Sequence, residues 1–188
     1  MPKSPLSLDQ IHKLVAVLRE LFKHHSRVRE STELGSLIQY PKIPPALSES
    51  IAFHLFHSGA LLGKPVEVCL SRSGGDLELL ITDGSPVRVE VKATAQSAFQ
   101  YFGPKDLKAD ILLWIHFGDL FQNEDEDTFQ VYLLERPREH FPDPRKITLN
   151  EFLRVAGHDV CIMNFKLASL AEISPPHEAP LSEGAHDD

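Results

Sequence analysis

Asp76, Glu78, Glu90 and Lys92 are the residues of this chain whose types and spacing point to chemistry. They lie in two apolar runs, Asp76-Leu77-Glu78-Leu79-Leu80-Ile81 and Val87-Arg88-Val89-Glu90-Val91-Lys92, separated by the turn-forming pair Asp83-Gly84. Alternate residues of a strand share a face, so Glu90 and Lys92 project together while Val89 and Val91 project the other way. A carboxylate beside an ammonium, facing a second carboxylate across a hairpin, suits a divalent cation and a phosphate. Oxygen ligands fit Mg²⁺, with Mn²⁺ as the alternative. Such a cation binds phosphate, neutralises developing charge and lowers the pKa of a bound water. In this reading Asp76, Glu90 and the backbone carbonyl of Val91 hold the metal. Lys92 offers its ammonium to the attacking water or to a phosphate oxygen.

The reading depends on strand parity. Asp76 and Glu78 face the same way as Glu90 and Lys92 only if the connecting loop has an odd number of residues or a bulge shifts the register. A five-residue loop over Asp83–Val87 pairs Leu80 with Glu90 and Glu78 with Lys92, and keeps Pro86 out of the sheet. A three-residue loop pairs Glu78 with Glu90. An even loop sends the acids to opposite faces.

At these residues the chain resembles the PD-(D/E)xK nuclease superfamily, the restriction-endonuclease-like fold. Asp76 stands where that family has its first metal-binding acid, with Gly75 in place of the nominal proline, and Glu90-Val91-Lys92 matches the (D/E)-x-K element. Glu49, placed in the first turn of a helix preceding the strands, resembles the upstream helical acid of many members. The match runs over about residues 48–117. It implies an α/β fold with an αβββαβ core, a mixed central sheet flanked by helices, and Mg²⁺-dependent hydrolysis of nucleic acid. The expectation is an endonuclease acting on DNA, with Asp76, Glu90, Lys92 and Glu49 as its working residues. RNA or branched DNA as substrate, or a binding module that keeps the fold without the chemistry, are the alternatives. Gln96, Gln100 and Tyr101 lie where some relatives carry Gln and Tyr on a helix, but at a different spacing.

The elements that must position these residues are legible in outline. Ile11, Leu14, Val15, Leu18, Leu21 and Phe22 recur at threes and fours, predicting a helix over 7–25 capped by Ser7. That helix covers the sheet or builds a homodimer. A second helix is expected over 48–58, with Gly59 as its stop. Strands are expected at 66–70, 77–82, 87–94, 111–117 and 129–134, with a helix or loop over 95–106. Ile111–Phe117 is continuously apolar, as in a strand buried on both faces. A short helix over 149–155 follows Thr148; residues 160–165 fit either a strand or a helix. Residues 1–173 read as a single domain with its core over about 48–135. The Pro-, His- and acid-rich residues 174–188 read as a disordered acidic tail.

With 188 residues, 42% of them apolar, the chain is long enough for one well-formed core. No apolar run approaches the roughly 20 residues of a membrane span, and the first residues lack a signal-peptide core, so a cytoplasmic protein is expected. Cys69 and Cys161, each in an apolar segment, are expected as buried free thiols. The net charge of −8 weighs mildly against nucleic acid, but it is unevenly spread. Residues 1–48 carry seven bases against four acids, and residues 123–188 six against fourteen.

Blander readings accompany each candidate. Glu90 and Lys92 also fit an ion pair on a sheet face, and Glu49 a helix-dipole partner. His54 and His57 fit the edge of a core rather than a metal site, and Asp110 the start of a strand. Lys105 and Lys108 fit either phosphate contact or a solvated loop. The bases along the first helix fit its dipole, and Glu124–Asp127 a solvated loop.

Overall fold

A computed structural model describes residues 4–33, 35–71, 75–81, 84–96 and 99–173. Two helices, α1 (Leu8–Glu30) and α2 (Pro45–His57), precede the sheet. Ser7 caps α1 in a capping box with Gln10, and four of the six predicted stripe residues, Ile11, Val15, Leu18 and Phe22, are buried, while Leu14 is half-buried and Leu21 exposed. The helix therefore covers the sheet, as one of the two expected roles required. Pro45 opens α2 rather than blocking it, because proline suits the first helical position. Glu49 consequently lies beyond the first turn, not in it.

The strands are β1 (Glu67–Leu70), β2 (Leu77–Leu80), β3 (Val87–Thr94), β4 (Phe99–Phe102), β5 (Ile111–His116), β6 (Thr128–Glu135), β7 (Arg145–Thr148) and β8 (Val160–Lys166). Six form one mixed sheet in the order β1-β2-β3-β5-β6-β8, while β4 and β7 pair separately. Only β3 and β5 are parallel; the other neighbours are antiparallel. The last three helices, α3 (Pro137–His140), α4 (Leu149–Ala156) and α5 (Leu170–Ile173), are short. Thr148 caps α4 through its side chain, as the sequence predicts, and residues 160–166 resolve as a strand.

The sheet separates two apolar layers. On one face Val89, Val91, Ile111, Leu113 and Ile115 pack with α1 and α2. On the other, Leu112, Trp114, Tyr132 and Leu134 pack with Phe102 and Ile147 from the β4–β7 ribbon, Phe152 from α4 and Phe141 just after residues 137–140. Burial of β5 on both faces follows. A buried polar knot closes the far end of β3: Trp114 Nε1 donates to Thr94 Oγ1 at 2.9 Å, and Thr94 Oγ1 lies 3.0 Å from His116 Nδ1.

Two further expectations are corrected. The segment after β3 holds no α-helix among its described residues; it forms β4 and a 3-10 turn at Asp106–Lys108. Phe99 and Tyr101 alternate with Gln100 and Phe102 in that segment, and the period of two prevails. Cys69 and Cys161 are free but exposed, because they occupy the outward positions of the sheet's edge strands. Residues 174–188, the expected tail, fall outside the described residues, as do Thr82 and Asp83 of the hairpin turn.

Candidate functional site

The β2–β3 register pairs Leu77 with Val89, Glu78 with Arg88 and Leu79 with Val87. The parity is the one the site requires, but the register is not either of those expected. Pairing with β3 ends at Leu79 and Val87, so Asp76, not Glu78 or Leu80, comes opposite Glu90. Asp76 sits where β2 leaves β3, and it bridges the parting strands. Its N–H donates to Val89 O at 2.9 Å, and its Oδ2 accepts the Val91 N–H at 2.8 Å. The carboxylate thus replaces a ladder carbonyl that β2 no longer supplies.

Gly75 explains how the backbone comes so close. A Cβ there would lie 3.0 Å from Val89 O, a tight contact with rigid backbone. The Val91 carbonyl faces the same edge as those of Val89 and Ala93, since alternate carbonyls of a strand point alike. Its neighbours are taken: Asp76 N–H donates to Val89 O, and Gln100 Nε2 donates to Ala93 O at 2.7 Å.

Glu90 is buried, with only 4% of its surface exposed. Lys92 Nζ donates to Glu90 Oε1 at 3.1 Å and reaches Asp106 Oδ2 at 2.7 Å. Asp106 is anchored in turn by the Gly103 N–H, which donates to its Oδ2 at 2.8 Å. Glu90 Oε2 is buried without a hydrogen-bond partner, with the Lys105 ammonium 3.7 Å away. Burial first, then the charge of Asp76 and the Asp106 carboxyl, push Glu90 up to about 7 against the pull of Lys92. Burial opposes the Lys92 charge, but its bonds to Asp106 and the attraction of Glu90 win, holding its pKa above the ordinary value. Burial likewise opposes ionisation of Asp106, yet the bonds from Lys92 and Gly103 bring its pKa below the usual range.

Asp76, Glu90, Val91, Lys92 and Glu49 all line one cavity of about 810 Å³. The structure therefore brings together every sequence-predicted site residue at a single concavity. Glu49 contributes from α2, on the far wall. Glu78 lies further along β2, where its Oε1 accepts from Ser71 Oγ at 2.7 Å. Gln96 and Gln100 do not share a helix face: Gln96 adopts a left-handed backbone and donates to Asp119 Oδ1 at 3.3 Å.

The remaining candidates resolve into structural roles. His54 contacts Leu6 O at 2.8 Å and His57 stacks on Phe53. Asp110 Oδ2 accepts the Arg88 N–H at 2.8 Å. Glu124 pairs with Lys23, while Arg19 donates to the carbonyls of Leu120 and Glu126, so bases of α1 tie down the acidic loop.

Asp106 is the residue that sequence reasoning missed. No spacing links it to Glu90-Val91-Lys92; it arrives through the 3-10 turn that follows β4. Arg29, Tyr40 and Lys42 were missed as well. They line the cavity wall contributed by α1 and the segment before α2, and the Arg29 guanidinium lies 4.3 Å from the Tyr40 ring centre.

Among the described residues, no group of three or more His, Cys, Asp and Glu side chains is gathered closely enough to cage a metal. Two carboxylates and a carbonyl nonetheless suit Mg²⁺, which keeps several waters and takes few protein ligands. Glu90 Oε2, buried without a hydrogen-bond partner and with Lys105 only at ion-pair distance, keeps acceptor capacity that a cation can use. The chain matches none of the protein-family models, curated proteins or solved structures with which it was compared.

Proposed function

We propose that this chain is a Mg²⁺-dependent phosphodiesterase that cleaves DNA, built on a PD-(D/E)xK-like arrangement. The observation that carries the reading is Asp76 opposite Glu90 in the lining of one cavity, with Glu90 Oε2 buried and lacking a hydrogen-bond partner. Asp76, Glu90 and the Val91 carbonyl would hold the ion, and Glu49 faces the same space. When bound, the ion supplies charge neutralisation at the phosphate and an acidified water.

The chain's own groups divide the remaining tasks. Lys92 stays protonated, so it stabilises negative charge on a phosphate oxygen rather than accepting a proton. Asp106 positions that ammonium beside Glu90. Glu90, raised to about 7, changes protonation near neutrality, so a cation competes with a proton for its carboxylate.

One feature favours a second reading, a binding module without hydrolysis. Lys92 is held by both Glu90 and Asp106, an arrangement that satisfies the ammonium without substrate. Cleavage of supercoiled plasmid separates the two. With Mg²⁺ the chain should nick or linearise DNA, and Asp76→Ala or Lys92→Ala should lower the rate by about a hundredfold or more with circular dichroism unchanged. DNA bound but left intact with Mg²⁺ and with Mn²⁺ would select the second reading.

A further inference from the structure

We propose that the cavity accepts an unpaired stretch of nucleic acid rather than an intact duplex, with Phe99 stacking on a base and Arg29 and Lys42 contacting phosphates. The inference rests on the nucleic-acid part of the reading above and names the form of the substrate.

One wall of the approach to the cavity is β4. Its outward positions carry Phe99, 70% exposed, and Tyr101, 55% exposed, while Gln100 and Phe102 point inward. Both are among the few large apolar side chains that the described fold leaves in water. They are adjacent positions on one face of a ribbon, spaced by about 7 Å along the strand. Register places exposed Lys146 of β7 opposite Tyr101. Two rings and a cation in a row form a stacking platform with a phosphate contact, the pattern that binds single strands without reading sequence. Phe99 also lines the cavity that holds Asp76 and Glu90, so the platform leads into the candidate site.

The opposite wall is complementary. Arg29 lies over Tyr40, and Lys42 is exposed beside them, giving two cations on the wall that α1 and the segment before α2 contribute, away from the β3 carboxylate. Size selects among nucleic acids. A space of about 810 Å³ lies within the range of roughly 300–1,000 Å³ typical of small-ligand sites. It suits one or two nucleotides and is far too small to enclose a double helix.

Fluorescence anisotropy on the full chain in EDTA tests the proposal. The probes are a labelled DNA single strand of about 20 nucleotides, its blunt duplex and the RNA single strand of the same sequence. The single strands should bind at least about tenfold more tightly than the duplex, and the RNA arm identifies which sugar is preferred. Phe99→Ala should weaken single-strand binding about tenfold with the salt slope unchanged, and Phe99→Trp should restore it. Arg29→Ala should flatten the salt slope. Equal affinity for duplex and single strand, or an unchanged Phe99→Ala, would overturn the inference. So would a wild-type dimer in sedimentation that Phe99→Ala dissociates, because a second copy would then cover this face. Tight single-strand binding without cleavage in Mg²⁺ would support this inference while removing the hydrolytic reading. Cleavage of duplex as fast as of single strand would remove the inference and leave that reading standing.

Discussion

Val89 and Val91 on one face of β3, and Glu90 and Lys92 on the other, occupy interleaved positions of the same strand. The first pair is sealed under α1 and α2 in an entirely apolar layer. The second pair lies on the face covered by the β4–β7 ribbon, where aromatic packing of Trp114, Phe102 and Phe152 gives way to Asp106, Lys105 and the cavity. A two-stranded ribbon covers only part of the other face, and the cavity at its margin reaches Val91 and Glu49 of α2 as well. The uncovered part is where charged side chains are affordable, each paired or facing the cavity.

This contrast can be broken most directly on the sealed face. Phe22→Ala removes a fully buried ring stacked 5.1 Å from Phe121, and should cost about 3–5 kcal/mol in urea unfolding while leaving specific activity per folded molecule intact. A loss below about 1 kcal/mol would mean that the helical layer is not the stabilising one. Next in size, Asp106→Ala strips Lys92 of its closest partner and should cost about 1–3 kcal/mol. It should also lower the Lys92 pKa, visible by NMR of the labelled ammonium. No change in either would make the pair an incidental contact.

A smaller effect sharpens the comparison through pH. Folding raises Glu90 from 4.5 to about 7, so the folded state retains a proton that the unfolded chain has lost between those values. Stability should therefore decline as pH climbs through that window. Glu90→Gln removes this decline and should melt a few °C higher above pH 7, the change expected of about 1 kcal/mol in a chain of this length. Mg²⁺ should raise the melting temperature of the wild type at about pH 8, less so at about pH 6, and leave the Gln variant unmoved. A wild type indifferent to Mg²⁺ at both pH values would count against the metal centre. Smallest of all, Lys13→Ala breaks the exposed pair with Asp9 on α1 and should change stability by less than about 0.5 kcal/mol.

The helices were legible because their apolar stripes and caps are local: Ser7 with Gln10, and Thr148 before Leu149. The core strands were legible for the same reason, and β5 declared its double burial by a continuous apolar run. The strand within residues 95–106, where a helix or loop is expected, was not legible because four alternating positions, Phe99 to Phe102, are too few to establish a period of two. The thiols were misplaced because an apolar neighbourhood in sequence does not reveal that a strand is at a sheet edge.

By itself the sequence determined which residues carry charge on β3 and that an odd connection would put Asp76 on their face; the observed register made that choice. Alternation is a property of the strand and needs no partner. Register, the opposition of Asp76 to Glu90, the arrival of Asp106 beside Lys92 and the exposure of Phe99 were decided by tertiary structure. Each depends on where a connection of irregular backbone returns the chain, and such connections carry no periodic signal from which that return can be read.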